Sequence, residues 1–96
     1  MKPKKLEYVG IKFSTFYKDL LAQAGYSQAD MQVLTGISKV SSSRYYNDIT
    51  IPSRQTAMRI IETVAKEHSG DKKKFFDENM AIYESIRKSV DESKSK

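Results

Sequence analysis

The sequence predicts an all-α protein, a single domain of five helices. Apolar residues recur at helical spacing over several segments, and glycine, proline or capping serines separate those segments. Ninety-six residues suit one small domain, and 39% apolar with 30% charged residues is ordinary for a soluble globular chain. We therefore expect a basic N-terminal arm (1–12), a helical domain (13–68) and a C-terminal helix with a polar tail (69–96).

The first helix is predicted over Phe13–Ala24. One of its faces is apolar and is assigned to the core; the residues on that face are Phe13, Phe16, Tyr17, Leu20, Leu21 and Ala24. Ser14 is the expected N-cap, because a serine hydroxyl accepts a hydrogen bond from a free N–H of the first turn. Gly25 ends the helix.

Two short helices joined by a tight turn are predicted next, at about Gln28–Thr35 and Lys39–Tyr46. Ser27 and Asp30 form a capping-box pattern at the start of the first of them. Gly36 breaks that helix where a sharp turn needs a residue that tolerates positive φ. In this segment we expect Met31, Leu34 and Ile37 to face inward and Ser38 to cap the second helix.

Two longer helices follow. The fourth begins at Pro52 or Ser53 and runs to about His68, and the fifth runs from about Lys72 to Val90. Each carries an apolar stripe at helical spacing. The stripe residues are Ala57, Ile60, Ile61 and Val64 in the fourth helix and Phe75, Phe76, Met80, Tyr83, Ile86 and Val90 in the fifth. The fifth helix either covers the chain's own core or pairs with its copy in a second subunit.

The segment 25–52 resembles a known motif. The residues that carry the match are Ser27-Gln28, Met31, Thr35-Gly36-Ile37-Ser38, Ser43-Arg44-Tyr45 and Asn47, with Pro52 opening the next helix. In this pattern the segment is similar to the helix-turn-helix of the lambda repressor-like (Cro-type, XRE-like) family of prokaryotic and phage regulators, roughly over residues 13–66. The resemblance implies a five-helix lambda repressor-like helix-turn-helix domain, to which the C-terminal amphipathic helix is an addition.

Three positions depart from the family pattern. Gln32 stands where the first motif helix usually has alanine, and Ser42 stands where the second usually has an inward aliphatic residue. Either the two residues exchange sizes and join by a hydrogen bond, or the motif packs loosely with Gln32 in solvent. Asp48 replaces a glycine common at the following turn. Aspartate tolerates the left-handed backbone region, but its charge disfavours a nearby phosphate.

The resemblance implies a sequence-specific double-stranded DNA-binding transcriptional regulator, a phage- or plasmid-type repressor that reads a major groove with its third helix. The residues expected to face base edges are Ser38, Lys39, Val40, Ser41 and Arg44. Those expected at the DNA backbone are Ser27, Gln28, Ser43, Tyr46, Asn47, Thr50 and Arg54. Lys39 and Arg44 can donate to guanine, and Val40 can contact a thymine methyl group. A plain phosphate contact is the alternative for Arg44.

The charge of the chain and its small size bear on its partners. The net charge of +5 and the pI near 9.4 favour a polyanion. The arm 1–12 either lies along the phosphate backbone or is a frayed terminus. Because one small motif buries little surface, we expect a homodimer on an inverted-repeat operator, with Phe76, Tyr83 and Ile86 at the interface. A second class of function stays open because Val40 lies on the presumed reading face. In it the chain is a helix-turn-helix module whose main partner is a protein, as in an antitoxin, antirepressor or inhibitor.

Other classes of function find little support in the sequence. No apolar run approaches the roughly 18 residues of a membrane span, and the chain begins without a signal-peptide core. We therefore expect a cytoplasmic protein that is nucleoid-associated when bound. Cysteine is absent, and the single histidine, His68, is expected to be a solvated cation at a helix end. Because the sequence shows no metal-ligand spacing, phosphate loop or paired nucleophile and base, we expect no enzyme activity, metal or cofactor.

Overall fold

The computed structural model describes residues 12–94, which form five α-helices and no β-strand. The helices are α1 (Phe13–Ala24), α2 (Gln28–Thr35), α3 (Lys39–Tyr46), α4 (Arg54–Ala65) and α5 (Lys72–Lys94). The all-α prediction is confirmed, and the first three helices have the predicted bounds. Residues 1–11 of the predicted arm lie outside the described range. Within that range no helix has the length and apolar character that crossing a membrane requires.

The helices share one apolar core with Phe13 of α1 near its centre. The Phe13 ring stacks on Tyr17 and meets Tyr45 of α3 and Tyr83 of α5 edge-on, at centroid separations of 5.9, 6.0 and 6.4 Å. Edge-on packing is a favoured arrangement of aromatic pairs. The predicted stripe of α4 is buried as expected; its members are Ala57, Ile60, Ile61 and Val64. Three helices are therefore fixed to one another through a single ring.

The start of α1 is capped by a residue distant in sequence. Lys12 occupies the N-cap position without a side-chain hydrogen bond, and Ser14 is buried inside the first turn. The N–H and the hydroxyl of Ser14 donate to the Asp48 carboxylate at 3.3 and 2.9 Å. Asp48 has a left-handed backbone with φ of 60°, and its charge suits the positive end of a helix dipole. The expectation that Ser14 caps α1 is therefore wrong, because the carboxylate takes that role.

The α2–α3 segment folds as predicted except at Leu34. The Ser27 hydroxyl accepts from the Asp30 N–H at 3.1 Å and the Asp30 carboxylate accepts from the Ser27 N–H at 2.9 Å, which completes the capping box. Met31 is fully buried, whereas Leu34 is 53% exposed. Thr35, four residues after Met31, takes the inward position and satisfies its hydroxyl by donating to the Met31 carbonyl at 2.6 Å. The inward stripe of α2 therefore runs through Met31 and Thr35, and the expectation for Leu34 is wrong.

The junction between α4 and α5 is closed by Lys72. The Nζ atom of Lys72 donates to the carbonyls of Lys66 and His68 at 2.8 Å each, beyond the last residue of α4, Ala65. His68 is half-buried and stacks on Phe75 with a centroid separation of 4.5 Å. The expectation that His68 is fully solvated is therefore wrong. The helix ends before His68, and the ring packs against the start of α5.

Helix α5 covers the core of its own chain. Tyr83 is fully buried, donates to the Pro52 carbonyl at 2.6 Å and accepts from Arg87 at 3.1 Å. Ile86 belongs to the same core cluster, and Phe76 is half-buried at its edge. The assignment of Tyr83 and Ile86 to a dimer interface does not fit these positions, because neither side chain has appreciable surface to offer a partner. Phe76 retains exposed surface, and the homodimer itself stays a prediction.

Candidate nucleic-acid interface

The outer face of α3 is bare within the described part of the chain. Ser42 and Tyr45 point inward and are buried, which anchors the helix on α1. Burial raises the pKa of the Tyr45 phenol, and a hydrogen bond from Ser41 partly opposes that rise. The outward residues are exposed and include no acid; they are Lys39, Val40, Ser43, Arg44 and Asn47, with the cap residue Ser38 before them. Tyr45 therefore belongs to the core, not to the outer face.

Three of the five predicted base-reading side chains are exposed and uncommitted. Among residues 12–91, Lys39 and Arg44 make no hydrogen bond or ion pair, and Val40 is 59% exposed. The hydroxyls of Ser38 and Ser41 are joined at 3.0 Å, and the Ser38 oxygen also accepts the Ser41 N–H at 3.0 Å. Because its proton and one lone pair are used locally, Ser38 has little capacity left to read a base. The uncommitted donors are Lys39 and Arg44.

Two predicted backbone residues at the start of α2 already make hydrogen bonds within the protein. Ser27 is occupied by the capping box, so its hydroxyl oxygen already accepts one N–H. The Oε1 atom of Gln28 accepts from the Ser42 hydroxyl at 3.1 Å, and that hydroxyl is 3.0 Å from the Tyr17 hydroxyl. In the described residues no hydrogen bond joins Gln32 to Ser42, so the proposed pairing of those two is wrong. Ser42 instead bonds across to the first residue of α2.

The far end of α3 carries a contact that the sequence did not indicate. Lys18 of α1 places its Nζ 4.5 Å from the centroid of the half-buried Tyr46 ring, a cation–π contact. Asn47 donates from Nδ2 to the Ser43 carbonyl at 2.8 Å and closes the last turn. Thr50 is half-buried in the following loop. Lys18 thus adds a positive charge beside the outer face of α3. Its place on α1 alone does not identify it, because helical spacing does not say which exposed residue lies nearest α3.

Arg54 is engaged with α5. Its Nε donates to Oε1 of Glu84 at 2.8 Å, and both side chains are largely exposed. An exposed pair of this kind contributes at most about 1 kcal/mol to stability. Arg54 can therefore exchange this partner for a phosphate at small free-energy cost.

Metal-ligand clusters and grooves are the features of the described residues that bear on catalysis. No cluster of three or more histidine, cysteine, aspartate or glutamate side chains is placed to hold a metal ion within residues 12–91. A groove of about 380 Å³ runs between α4 and α5 and is lined by Glu62, Ala65, Lys66, Lys72, Lys73 and Phe76. Its lining contains no hydroxyl, thiol or imidazole, so we assign it no reaction.

Comparison of the chain with protein-family models, with curated proteins and with solved structures finds no match. The similarity to the lambda repressor-like motif therefore depends on the residues themselves: the capping box at Ser27, the turn at Gly36 and the outer residues of α3.

Proposed function

We propose that the chain is a sequence-specific double-stranded DNA-binding transcriptional regulator of the lambda repressor-like type, a phage- or plasmid-type repressor that inserts α3 into the major groove. The observation that carries this proposal is the acid-free outer face of α3, on which Lys39 and Arg44 make no hydrogen bond or ion pair with residues 12–91. A helix with its side chains is about 10–12 Å across, which suits a major groove about 12 Å wide. Lys39 and Arg44 lie five residues apart, about 7.5 Å along the helix axis, so they address different base pairs.

Polar and basic groups beside α3 support the same orientation. Gln28 lies at one side, at the start of α2, where free N–H groups and the helix dipole favour a phosphate. Lys18 and Tyr46 lie near the other end, and Ser43 and Asn47 lie on α3 itself or at its C-cap. Contacts of this kind set the register of a protein on DNA, while the base contacts read sequence. We propose that these residues bind phosphate and that Lys39, Val40 and Arg44 face base edges.

A homodimer remains part of the proposal. Two copies would place two α3 helices in successive major grooves about 34 Å apart, which matches an inverted repeat. Because Tyr83 and Ile86 lie in the core, the interface must use other surface. Phe76, which is half-buried at the edge of the core, is the predicted member that retains some exposed surface.

The test is DNA binding by the purified protein, first to fragments that flank its own gene and then to the tightest of them. Arg44→Ala is expected to weaken binding to that fragment by about 5- to 150-fold, since a bidentate base contact contributes about 1–3 kcal/mol of discrimination. Lys88→Ala is the matched control, because Lys88 is exposed on α5 and also loses one positive charge. Equal losses for the two variants would mean that Arg44 acts through its charge alone and reads no base.

A second function is favoured by a different observation. Val33 and Leu34 of α2 are 84% and 53% exposed, and Val40 of α3 is exposed as well. Exposed aliphatic side chains in neighbouring elements are typical of protein-binding surfaces when they form one patch. A helix-turn-helix module that binds a protein, as an antitoxin, antirepressor or inhibitor does, is the alternative. It takes precedence if the protein shifts no DNA fragment at low salt.

A further inference from the structure

A chain of hydrogen bonds runs from the core to the edge of the candidate interface. It begins at the Tyr17 hydroxyl of α1, passes through the Ser42 hydroxyl of α3 at 3.0 Å and ends at Oε1 of Gln28 of α2 at 3.1 Å. Tyr17 and Ser42 are fully buried, and Gln28 is half-buried. Three helices therefore meet in one polar connection whose outer end is the residue proposed to contact a phosphate.

The number of available hydroxyl protons determines which group donates in each of these hydrogen bonds. The amide oxygen of Gln28 can only accept, so Ser42 donates its single proton to it, and Ser42 in turn accepts from Tyr17. Burial raises the pKa of Tyr17, so the phenol keeps its proton at neutral pH.

The reverse direction leaves a buried donor without an acceptor. With the Gln28 amide nitrogen donating to Ser42, only the contact between Ser42 and Tyr17 remains for the two hydroxyl protons. One of those protons then has no acceptor, because within residues 12–91 the partners of the Ser42 hydroxyl are Tyr17 and Gln28, and the partner of the Tyr17 hydroxyl is Ser42. An unsatisfied buried donor disfavours the reversed arrangement by a factor of about 5 to 150.

We propose that Tyr17 and Ser42 are positioning residues that turn the amide NH₂ group of Gln28 outward, so that it donates to a phosphate oxygen of the DNA backbone. The inference rests on the proposed DNA-binding function and adds to it residues that touch no DNA. In the described residues the Gln28 amide nitrogen has no hydrogen-bond partner. A phosphate oxygen only accepts, so an outward NH₂ attracts it and an outward amide oxygen repels it. The buried hydroxyls of Tyr17 and Ser42 therefore determine whether Gln28 attracts or repels a phosphate.

The experiment measures the affinity of the full chain for a labelled mixed-sequence duplex at low salt, since a phosphate contact needs no particular sequence. Ser42→Ala and Tyr17→Phe are expected to weaken binding by about 2- to 12-fold, the loss from leaving one flexible side chain to be ordered on binding. The slope of affinity against salt is expected to stay unchanged, because neither substitution removes a charge. Gln28→Glu keeps an acceptor for Ser42 but places a carboxylate oxygen outward, so it is expected to bind more weakly than Gln28→Ala.

A double-mutant comparison separates positioning from general destabilisation. In the Gln28→Ala background, Ser42→Ala and Tyr17→Phe are expected to have no further effect on DNA affinity, because the side chain that they orient is gone. Tyr83→Phe is the control, since it removes another buried phenol bond, to the Pro52 carbonyl, and is expected to lower melting temperature without changing affinity in either background.

Three outcomes overturn the inference, and they are distinguishable. Wild-type affinity in Ser42→Ala and Tyr17→Phe refutes the positioning role and leaves the proposed function standing. Losses that persist in full in the Gln28→Ala background assign the two residues to folding alone. Absence of DNA binding by the wild-type chain removes the proposed function and this inference with it.

Discussion

Replacing Asp48 by glycine sets two physical effects against each other. Asp48 has φ of 60°, a backbone region in which glycine is free of strain, and glycine is common at this turn in the family that the motif resembles. Its carboxylate also accepts the N–H and the hydroxyl of the buried Ser14. If backbone strain dominated, Asp48→Gly would stabilise the protein. We expect the opposite.

The magnitudes decide in favour of the hydrogen bonds. Loss of a helix cap destabilises by about 0.5–2 kcal/mol, and a hydrogen bond to a charged group contributes about 1.5–3 kcal/mol. The two ranges are not added, because both describe the hydrogen bonds between Ser14 and Asp48. The left-handed region disfavours an ordinary residue by about 1–2 kcal/mol, and aspartate by less. Relief of about 1 kcal/mol of backbone strain offsets part of this loss. We therefore expect Asp48→Gly to lower the free energy of unfolding by about 0.5–2 kcal/mol, which for a domain of this size is a fall in Tm of roughly 2–16 °C.

The assay is urea and thermal unfolding followed by helical circular dichroism, with Asp48→Asn and Ser14→Ala as companions. Asparagine keeps a carbonyl acceptor and tolerates the same backbone, so the expected order of stability is wild type, then Asn, then Gly. The loss caused by Asp48→Gly is expected to shrink in the Ser14→Ala background, because one of the two hydrogen bonds is already absent. A glycine variant as stable as the wild type would refute this account of the α1 cap.

Three further predictions concern burial and pH. Met31→Ala is expected to destabilise the fold by about 2–5 kcal/mol. Leu34→Lys is expected to change the stability by no more than about 0.5 kcal/mol, because the Leu34 side chain is exposed. Equal losses of stability in urea unfolding would contradict the described orientation of α2. Tyr83→Ala is expected to lower the stability by about 3–5 kcal/mol, and Phe76→Ala by clearly less. Both losses are expected to be independent of protein concentration. If the Tm of the wild type depends on concentration and Tyr83→Ala abolishes that dependence, Tyr83 lies in a dimer interface. Burial raises the folded-state pKa of Tyr17 above its ordinary value of 10.0, so its contribution to stability is complete below that pH and is lost as pH rises through the folded pKa. Tyr17→Phe is therefore expected to flatten the fall in stability above that pH, and an unchanged slope would contradict this.

Helix positions could be predicted from the sequence because the interactions that begin and end helices are local. Ser27 bonds to Asp30, Ser53 accepts from the Thr56 N–H, and Gly36 takes a left-handed backbone at the end of α2. Each of these contacts spans only a few residues, so residue types and spacing are enough to predict it.

Contacts between segments that are far apart along the chain could not be predicted from the sequence. Ser14 and Asp48 are 34 positions apart, and Tyr17 and Ser42 are 25 apart. Helical period shows that a face is apolar and leaves open what covers it, which is why the sequence allows both roles for α5 and why the interface prediction for Tyr83 and Ile86 is wrong. In α2 the period predicts Leu34 as the inward residue, but the packing of the helices buries Thr35 instead.

In the candidate site, too, local features could be predicted from the sequence and long-range contacts could not. The exposure of Lys39 and Arg44 follows from the inward positions of Ser42 and Tyr45, so it could be read from the spacing. The sequence predicts Ser38 both as a helix cap and as a base reader. These two roles compete for the same hydroxyl oxygen, and the local cap occupies it. Which distant side chain approaches α3, such as Lys18, depends on how α1 crosses it.

Helix α3 has two buried residues that pack against the core and an exposed outer face, and this separation determines which substitutions change stability. Ser42 and Tyr45 carry the packing, while Lys39, Val40 and Arg44 contribute almost nothing to the interior. Exchanges at the latter three positions leave the folded scaffold nearly as stable as before. If α3 reads DNA as proposed, a single substitution at one of these positions changes the preferred sequence and leaves the protein folded.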